Sequence, residues 1–497
     1  MNQVLTVANI PRHHTFLNGR LVAGGGTPMS DRHPGDGSVI ATVEETAPER
    51  VQEAVTRGAA AQHPWARTAP HERARVLRAA ADLVESDLER LSHLVALDNG
   101  KTLTEACGDV FVAAAHLRSA AAWAPTLEGA TLPADGATLR MTFREPVGVV
   151  GAIIPFNAPL MFAAQKAGPA LAAGNAIVLK APEQSPLAPP LLGEFLARAG
   201  LPDGLLQVVQ GGGAVGHTLV THPDVTMVSF TGSTDVGRQV MRDAADGMKR
   251  VLLELGGKSA NIVYADADLD AAVHASVGGI FRNAGQRCFS GSRLLVEESV
   301  ADEVIARVVA IAEGIRVGDP FDPKSQLGCV ISTRHEQRVH TMVTTAIEQG
   351  ATLLTGGQRP DDVPDKGAYY RPTVLAVETG TPDIIRDEVF GPVLTVQRFT
   401  TTEQAVAMAN DSPFGLVGGC WTRDLNRALH TARAVRTGYF WINSYGALAL
   451  DAPIGGVGLS GIGRELGRIG HEAYTELKTV IVDTRSHEAP HWYEEPQ

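Results

Sequence analysis

The stretch VGVVGAIIPFNAPL, Val147–Leu160, runs through eight apolar or glycine residues before a proline and an asparagine interrupt it. A strand with one wet face alternates polar and apolar side chains; an unbroken run like this one predicts a strand covered on both faces, as in a parallel sheet under helices. The texture returns in AIVLK (Ala176–Lys180), LLQVV (Leu205–Val209) and VTMVSFTG (Val225–Gly232), with helical segments between. Strand and helix therefore alternate, which defines an α/β unit. A second alternation follows Glu254, with ANIVY (Ala260–Tyr264), SRLLVEE (Ser292–Glu298), PTVLAV (Pro372–Val377) and VLTVQRF (Val393–Phe399) as its strands.

Upstream, His71–Val95 carries Leu77, Val84, Leu88 and Leu91 at helical steps, predicting one helix with one buried stripe. DNGK, Asp98–Lys101, reads as a turn. Gly129–Val147 reads as an exposed β-ribbon, and Glu476–Thr484 as a partner strand. A chain of 497 residues exceeds what one core supports, so two or three domains are expected.

Several function classes drop out. The formal charge is −12, from 43 basic and 55 acidic side chains, and no Lys/Arg stripe offers a nucleic acid its counter-charge. Cys107, Cys288, Cys329 and Cys420 are scattered with no C-x-x-C pair, which argues against zinc and for a reducing compartment. His335–His340 is H-E-x-x-x-H, one residue too long for two ligands on one helical face, so no metal is expected. The start lacks a secretory pattern, and no apolar run approaches the roughly 20 residues of a membrane span, so no membrane partner and a cytoplasmic location are expected.

Two glycine loops compete for a phosphate: GGGAVG, Gly211–Gly216, and FTGSTDVG, Phe230–Gly237. LLELGGKS, Leu252–Ser259, is no P-loop, because Leu252 stands where its first glycine belongs. Glu254 in that run is either a strand-end surface charge or a base raised by burial. Cys288, in FRNAGQRCFSGSRL, is either a small buried hydrophobe or a nucleophile whose thiolate Arg287 favours.

Glu254 in LELGGKS followed by the cysteine of GQRC resembles the aldehyde dehydrogenase superfamily, and the likeness extends over nearly the whole chain. FLNGR, IIPFNAPL, LKAPEQSP, FTGSTDVG, DEVFGPV, PFGL and GIGRELG stand in the family's order. The resemblance implies a Rossmann-like nucleotide-binding domain (1–125 and 146–256), a second α/β catalytic domain bearing the thiol (257–458), and a small β oligomerisation ribbon (126–145 and 471–490). It implies oxidation of an aldehyde to its acid: Cys288 attacks the carbonyl, Asn157 and the Cys288 N–H stabilise the oxyanion, and Glu254 activates the water that releases the thioester. Lys166 and Glu465 match positions near that base, either relaying its proton or forming a buried ion pair. Lys180 and Glu183 match the adenosine-ribose contacts, Gly212 the adenine side, Gly232 and Ser233 the pyrophosphate helix, and Glu388 and Phe390 the nicotinamide ribose.

NAD is the expected cofactor, with NADP possible, and a homodimer or homotetramer the expected assembly. Ala158, Met161, Phe162, Gln165, Arg282, Phe289, Leu448 and Ile454 match the substrate tunnel; this apolar set favours a medium-sized aliphatic or aromatic aldehyde. Arg282 keeps an ω-carboxylated semialdehyde open, or else salt-bridges within the fold. A coenzyme-A-acylating enzyme would lack Glu254, and an idle relative would lose Cys288, Glu254 or Asn157. Phe156 and Val457 depart from the family's usual tryptophan and larger or basic residue.

Overall fold

Val149–Ile153 is a fully buried strand inside an eight-stranded sheet, the position its sequence demands. The computed structural model describes residues 10–134, 136–378, 382–484 and 493. Five strands of this sheet run parallel, in the order Leu206–Val209, Ala176–Lys180, Val149–Ile153, Val225–Thr231, Arg250–Glu254. The chain moves outward from Val149–Ile153 first one way and then the other. The strand order therefore reverses between Ile153 and Thr231, and a doubly wound sheet opens a crevice at such a point, outside the carboxyl ends of its strands.

A second sheet has seven strands, in the order Thr352–Thr355, Thr373–Ala376, Val393–Phe399, Arg293–Glu297, Ala260–Val263, Val417–Trp421, Tyr439–Ile442. All are parallel except the Thr352–Thr355 edge. Each sheet has its own apolar packing: Phe16 to Leu255 with Tyr474 around the first, and Val263, Leu294, Val374 and Trp421 within the second. The join between them places the site. Glu254 ends the last parallel strand of the first sheet, and Ala260 begins a central strand of the second. The carboxyl ends of one sheet thus face the amino ends of the other. Arg293 holds the crossing by donating its N–H to the Ser259 carbonyl at 3.1 Å.

Thr475–Asp483 pairs antiparallel with Thr138–Pro146 along its length, and Thr131–Leu132 adds a third strand. This is the ribbon and partner strand that the sequence predicts; residues 485–490 of the expected ribbon range lie outside the described residues. Leu139, Phe143, Leu477 and Ile481 are exposed on it.

The fold corrects two readings. The periodic stretch His71–Val95 is two helices, Pro70–Ser86 and Leu88–Asn99, joined at Asp87. The Ser86 hydroxyl donates to the Leu83 carbonyl at 2.8 Å, the Asp87 carboxylate pairs with Arg90, and the Asp87 carbonyl starts the second helix by accepting the Leu91 N–H at 3.0 Å. The strand Val417–Trp421 escaped the sequence reading because Gly418 and Gly419 interrupt its apolar run. A Cβ at Gly419 would lie 2.8 Å from the Tyr445 ring, so glycine makes room for an aromatic beneath the thiol loop.

Gly285 makes a tight backbone contact in the turn before the thiol. Its φ is +72°, and a Cβ there would lie 2.0 Å from the Gly391 carbonyl oxygen. Gly285→Ala is therefore expected to cost about 2 kcal/mol or more and to displace the Cys288 turn. Differential scanning calorimetry should show a lowered midpoint, with kcat falling alongside; an unchanged midpoint would contradict this packing.

Candidate active site

The crevice is a cavity of about 990 Å3. Two helix N-termini open into it. Gly213–Thr221 starts after Gly212, and Thr234–Ala245 starts after Ser233, whose hydroxyl accepts the Val236 N–H at 3.4 Å. The first N–H groups of a helix lack internal partners and favour an anion. Both competing glycine loops thus reach one cavity: Gly212, Gly232 and Ser233 all line it. Lys180, at the end of its strand, sits 3.8 Å from the Glu183 carboxylate, and both also line it. Burial lowers the Lys180 pKa, opposed by Glu183 and Glu45. Glu183 is placed by its loop, which Asp98 fixes by accepting from Ser185 Oγ (2.9 Å) and Leu187 N–H (3.0 Å). Glu45, which sequence reasoning missed, accepts the Gly212 N–H at 3.0 Å.

Glu388 and Phe390 line the same cavity. Glu388 accepts the Gly257 N–H at 3.0 Å, and burial pushes its carboxyl up to about 7. Phe390 is held in the left-handed region, with φ +56°, edge-on to Phe156 at 5.8 Å. Two residues the sequence analysis considered only for metal binding, or not at all, brace this segment. His335 Nε2 bonds the Phe390 carbonyl at 2.7 Å, and Arg338 donates to the Glu388 and Val389 carbonyls at 2.9 and 2.7 Å. His340 turns instead to the Tyr370 hydroxyl, so the two histidines diverge. Their spacing at i and i+3 on one helix face is the signal that places His335 and Arg338 together.

Cys288 follows a strained turn. Asn283, Ala284 and Gly285 all have positive φ, at 52°, 51° and 72°. Such a turn persists only when its surroundings over-determine it. Glu105 accepts the Asn283 N–H at 2.6 Å, and Asn283 Nδ2 reaches the carbonyls of Asn157 (3.1 Å) and Gln286 (3.2 Å). Buried Gln286 adds a bond from the Ile331 N–H to its Oε1 at 2.9 Å. Asn157 Nδ2 donates to the Gln286 carbonyl at 2.8 Å, which leaves the amide's second hydrogen for another acceptor. The Cys288 N–H has no partner among the described residues. Lys101 fixes the Asn157 carbonyl at 2.6 Å, and Asn99 the Phe156 carbonyl at 2.7 Å.

Glu254 is not a surface charge. It is buried, its Oε1 has no hydrogen-bond partner, and burial and Glu465 raise its pKa well above the carboxylate range, against Lys166 and Arg464. Lys166 and Glu465 form a buried ion pair behind it, outside the cavity lining. Arg287 does pull the thiol down, as the sequence reading expects. It is outweighed: burial, Glu254 and Glu388 push Cys288 up to about 12.

On the substrate positions the outcome is mixed. Phe289 and Leu448 pack with Cys288, Trp441, Tyr439 and Tyr445 in an apolar cluster, none of which except Cys288 lines the nucleotide cavity. Phe162 lines that cavity, Ala158 and Ile454 are buried, and Met161 is half-buried. Gln165 is turned away, its amide bonded to Glu465. Arg282 is exposed and makes no ion pair among the described residues, so the internal salt bridge is not found.

The fold is thus a doubly wound α/β protein whose crevice ends at a half-buried thiol. The profile described as the Aldehyde dehydrogenase family matches residues 22–480, and the chain belongs to that family of oxidoreductases. A Betaine aldehyde dehydrogenase of Cereibacter sphaeroides is 42% identical over 483 residues, 97% of this chain and 99% of that protein. The human mitochondrial Aldehyde dehydrogenase is 41% identical over 456 residues, 90% of this chain and 88% of that one. The NAD+ complex of an aldehyde dehydrogenase from Bacillus cereus superposes with a TM-score of 0.93 at 38% identity, covering 96% and 97% of the two chains. No helix among the described residues is long and apolar enough to cross a membrane, and no three metal-binding side chains converge there.

The raised thiol sets a pH expectation. With its pKa at about 12, only about one part in 10^5 of Cys288 is thiolate at pH 7. In the nucleotide-free protein, iodoacetamide should label Cys288 slowly at pH 7 and about tenfold faster per pH unit up to pH 9. A rate that plateaus below pH 8 would show a thiol already ionised.

Proposed function

We propose that this chain oxidises an uncharged, medium-sized aliphatic or aromatic aldehyde to its carboxylic acid through a covalent adduct on Cys288, with NAD as the acceptor. The observation that carries this reading is the convergence of one thiol, one amide with a free hydrogen and one buried carboxyl where the nucleotide crevice meets an apolar aromatic pocket. The cavity lining suits a dinucleotide: Gly213 faces open space, two helix N-termini point unpartnered N–H groups into the cavity, and Lys180 with Glu183 offers a donor and an acceptor to ribose hydroxyls. Glu45 and Glu183 together flank Gly212 with negative charge, which favours NAD over the 2′-phosphate of NADP.

Cys288 first gives its thiol proton to solvent in the crevice; the thiolate Sγ then adds to the aldehyde carbon, and the carbonyl π electrons move to the oxygen, which becomes an oxyanion. The second Asn157 amide hydrogen and the Cys288 N–H stabilise it, a contribution of about 3–4 kcal/mol per donor in comparable sites. Held along Gly212, Ser233, Glu388 and Phe390, NAD would supply the hydride acceptor that oxidation of the adduct to a thioester requires. Glu388, fixed by the Gly257 N–H, and Phe390, braced by His335 and Arg338, orient the nucleotide's reactive half. Glu254 then takes the proton of the attacking water, and the acid leaves as the thiol reforms. A carboxyl held neutral by burial is poised to act once water reaches it and restores its charge. The Lys166–Glu465 pair behind it receives the proton. An ω-carboxylated semialdehyde is a second reading, favoured by the exposed and unpaired Arg282. The exposed Leu139, Phe143, Leu477 and Ile481 of the ribbon support a homodimer or homotetramer built on that sheet.

Cys288→Ala should abolish reduction of NAD by hexanal or benzaldehyde while NAD still binds; substantial turnover would sink the mechanism. Glu254→Gln should keep a pre-steady-state burst of NADH and slow the following turnover by about 100-fold or more. Loss of the burst would move Glu254 to thiol activation.

A further inference from the structure

Arg287 stands directly before the nucleophile, yet its charge is not neutralised. Its guanidinium carbon lies 4.2 Å from the centre of the Phe289 ring, and its Nη2 donates to the Gly446 carbonyl at 3.3 Å. The two carboxylates whose field reaches it are engaged elsewhere. Glu105 accepts from Asn283 N–H (2.6 Å) and Thr102 Oγ1 (3.1 Å), and Asp109 is ion-paired with Lys101. Arg282, exposed and without an ion pair among the described residues, adds a second positive charge within the field of the first. Arginine does not shed its proton under these conditions, so both charges are permanent.

Arg287 lies against an aromatic cluster beside Cys288 that holds Phe289, Trp441, Tyr439 and Tyr445. The Trp441 ring packs at a tilt on Tyr439, at 4.9 Å, and on Tyr445, at 4.8 Å. Aromatic faces attract cations, and such a cluster alone would favour a quaternary ammonium group. Here the Phe289 face is already covered by Arg287. We propose that Arg287, reinforced by Arg282, is a specificity-determining charge filter: it rejects aldehydes bearing a cationic group near the carbonyl and admits neutral or anionic ones. The proposal rests on the aldehyde-oxidising reading above and narrows its substrate class by charge.

The filter can be tested without turnover. Nucleotide-free enzyme is labelled with two methanethiosulfonates of similar size, one carrying a sulfonate and one a trimethylammonium. The rate at the Cys288 peptide is read by mass spectrometry, and each rate is divided by that of the same reagent with a small free thiol. The anionic reagent should lead by about tenfold or more; Arg287→Gln should reduce that lead to about threefold or less, Arg287→Lys should retain most of it, and exposed Arg282→Gln should reduce it in part. Any change in thiol pKa affects both reagents alike and cancels in the ratio. A second arm compares kcat/KM for betaine aldehyde with that for 3,3-dimethylbutanal, which has the same shape with carbon in place of the charged nitrogen. The neutral aldehyde should lead by about tenfold, and the lead should shrink in Arg287→Gln. A labelling ratio at or below one, or a ratio indifferent to all three substitutions, overturns the filter even if aldehydes are oxidised. Absence of turnover with every aldehyde instead defeats the dehydrogenase reading, and the labelling ratio then decides by itself whether the field at the thiol selects by charge.

Discussion

The carbonyl oxygen of Asn157 is the joint on which the site depends. It accepts from Lys101 Nζ at 2.6 Å and from Asn283 Nδ2 at 3.1 Å, so three separate segments meet at one atom. Asn157 comes just after the central strand of the first sheet, Lys101 follows the amino-terminal helices, and Asn283 belongs to the turn before the thiol. A charge-assisted bond in a buried setting is among the stronger single contacts available to a fold. Because the same asparagine donates its side-chain amide to Gln286, fixing its backbone also fixes the direction of its remaining hydrogen. The left-handed turn at Asn283–Gly285 survives on this support and sets the height of Cys288 above the crevice.

Around that joint burial disfavours charge on the titratable groups. It pushes Cys288, Glu254 and Glu388 up, Glu388 to about 7, and lowers Lys180 and Lys258, the latter to about 7. An apolar site penalises every unpaired charge, so each group waits for a partner: ribose hydroxyls, water or an oxyanion. Charged side chains lie at the margins, Arg287 beside the thiol and the Lys166–Glu465 pair behind Glu254, and their field acts on the groups between them.

That field also separates membership of a family from choice of substrate. The likeness to relatives extends along nearly the whole chain. Charge and shape next to the thiol depend on fewer residues: Arg287 over Phe289, Gln165 tied to Glu465, and aromatic rings accommodated by Gly418 and Gly419.

The sequence by itself determined the alternation of covered strands and helices, because side-chain periodicity and apolar runs are local properties written along the chain. It also determined which residue types are available for chemistry, from the cysteine of GQRC to the glutamate of LELGGKS. Only the tertiary structure decided the helix break at Asp87, where local capping competes with a continuous apolar stripe. It alone decided that Glu254 is buried, and that desolvation outweighs Arg287 at the thiol, since desolvation depends on how many distant segments pack around a group. It alone brought His335 and Arg338 beneath Phe390, and Glu45 against Gly212, because hydrogen bonds across such separations leave no period in the sequence.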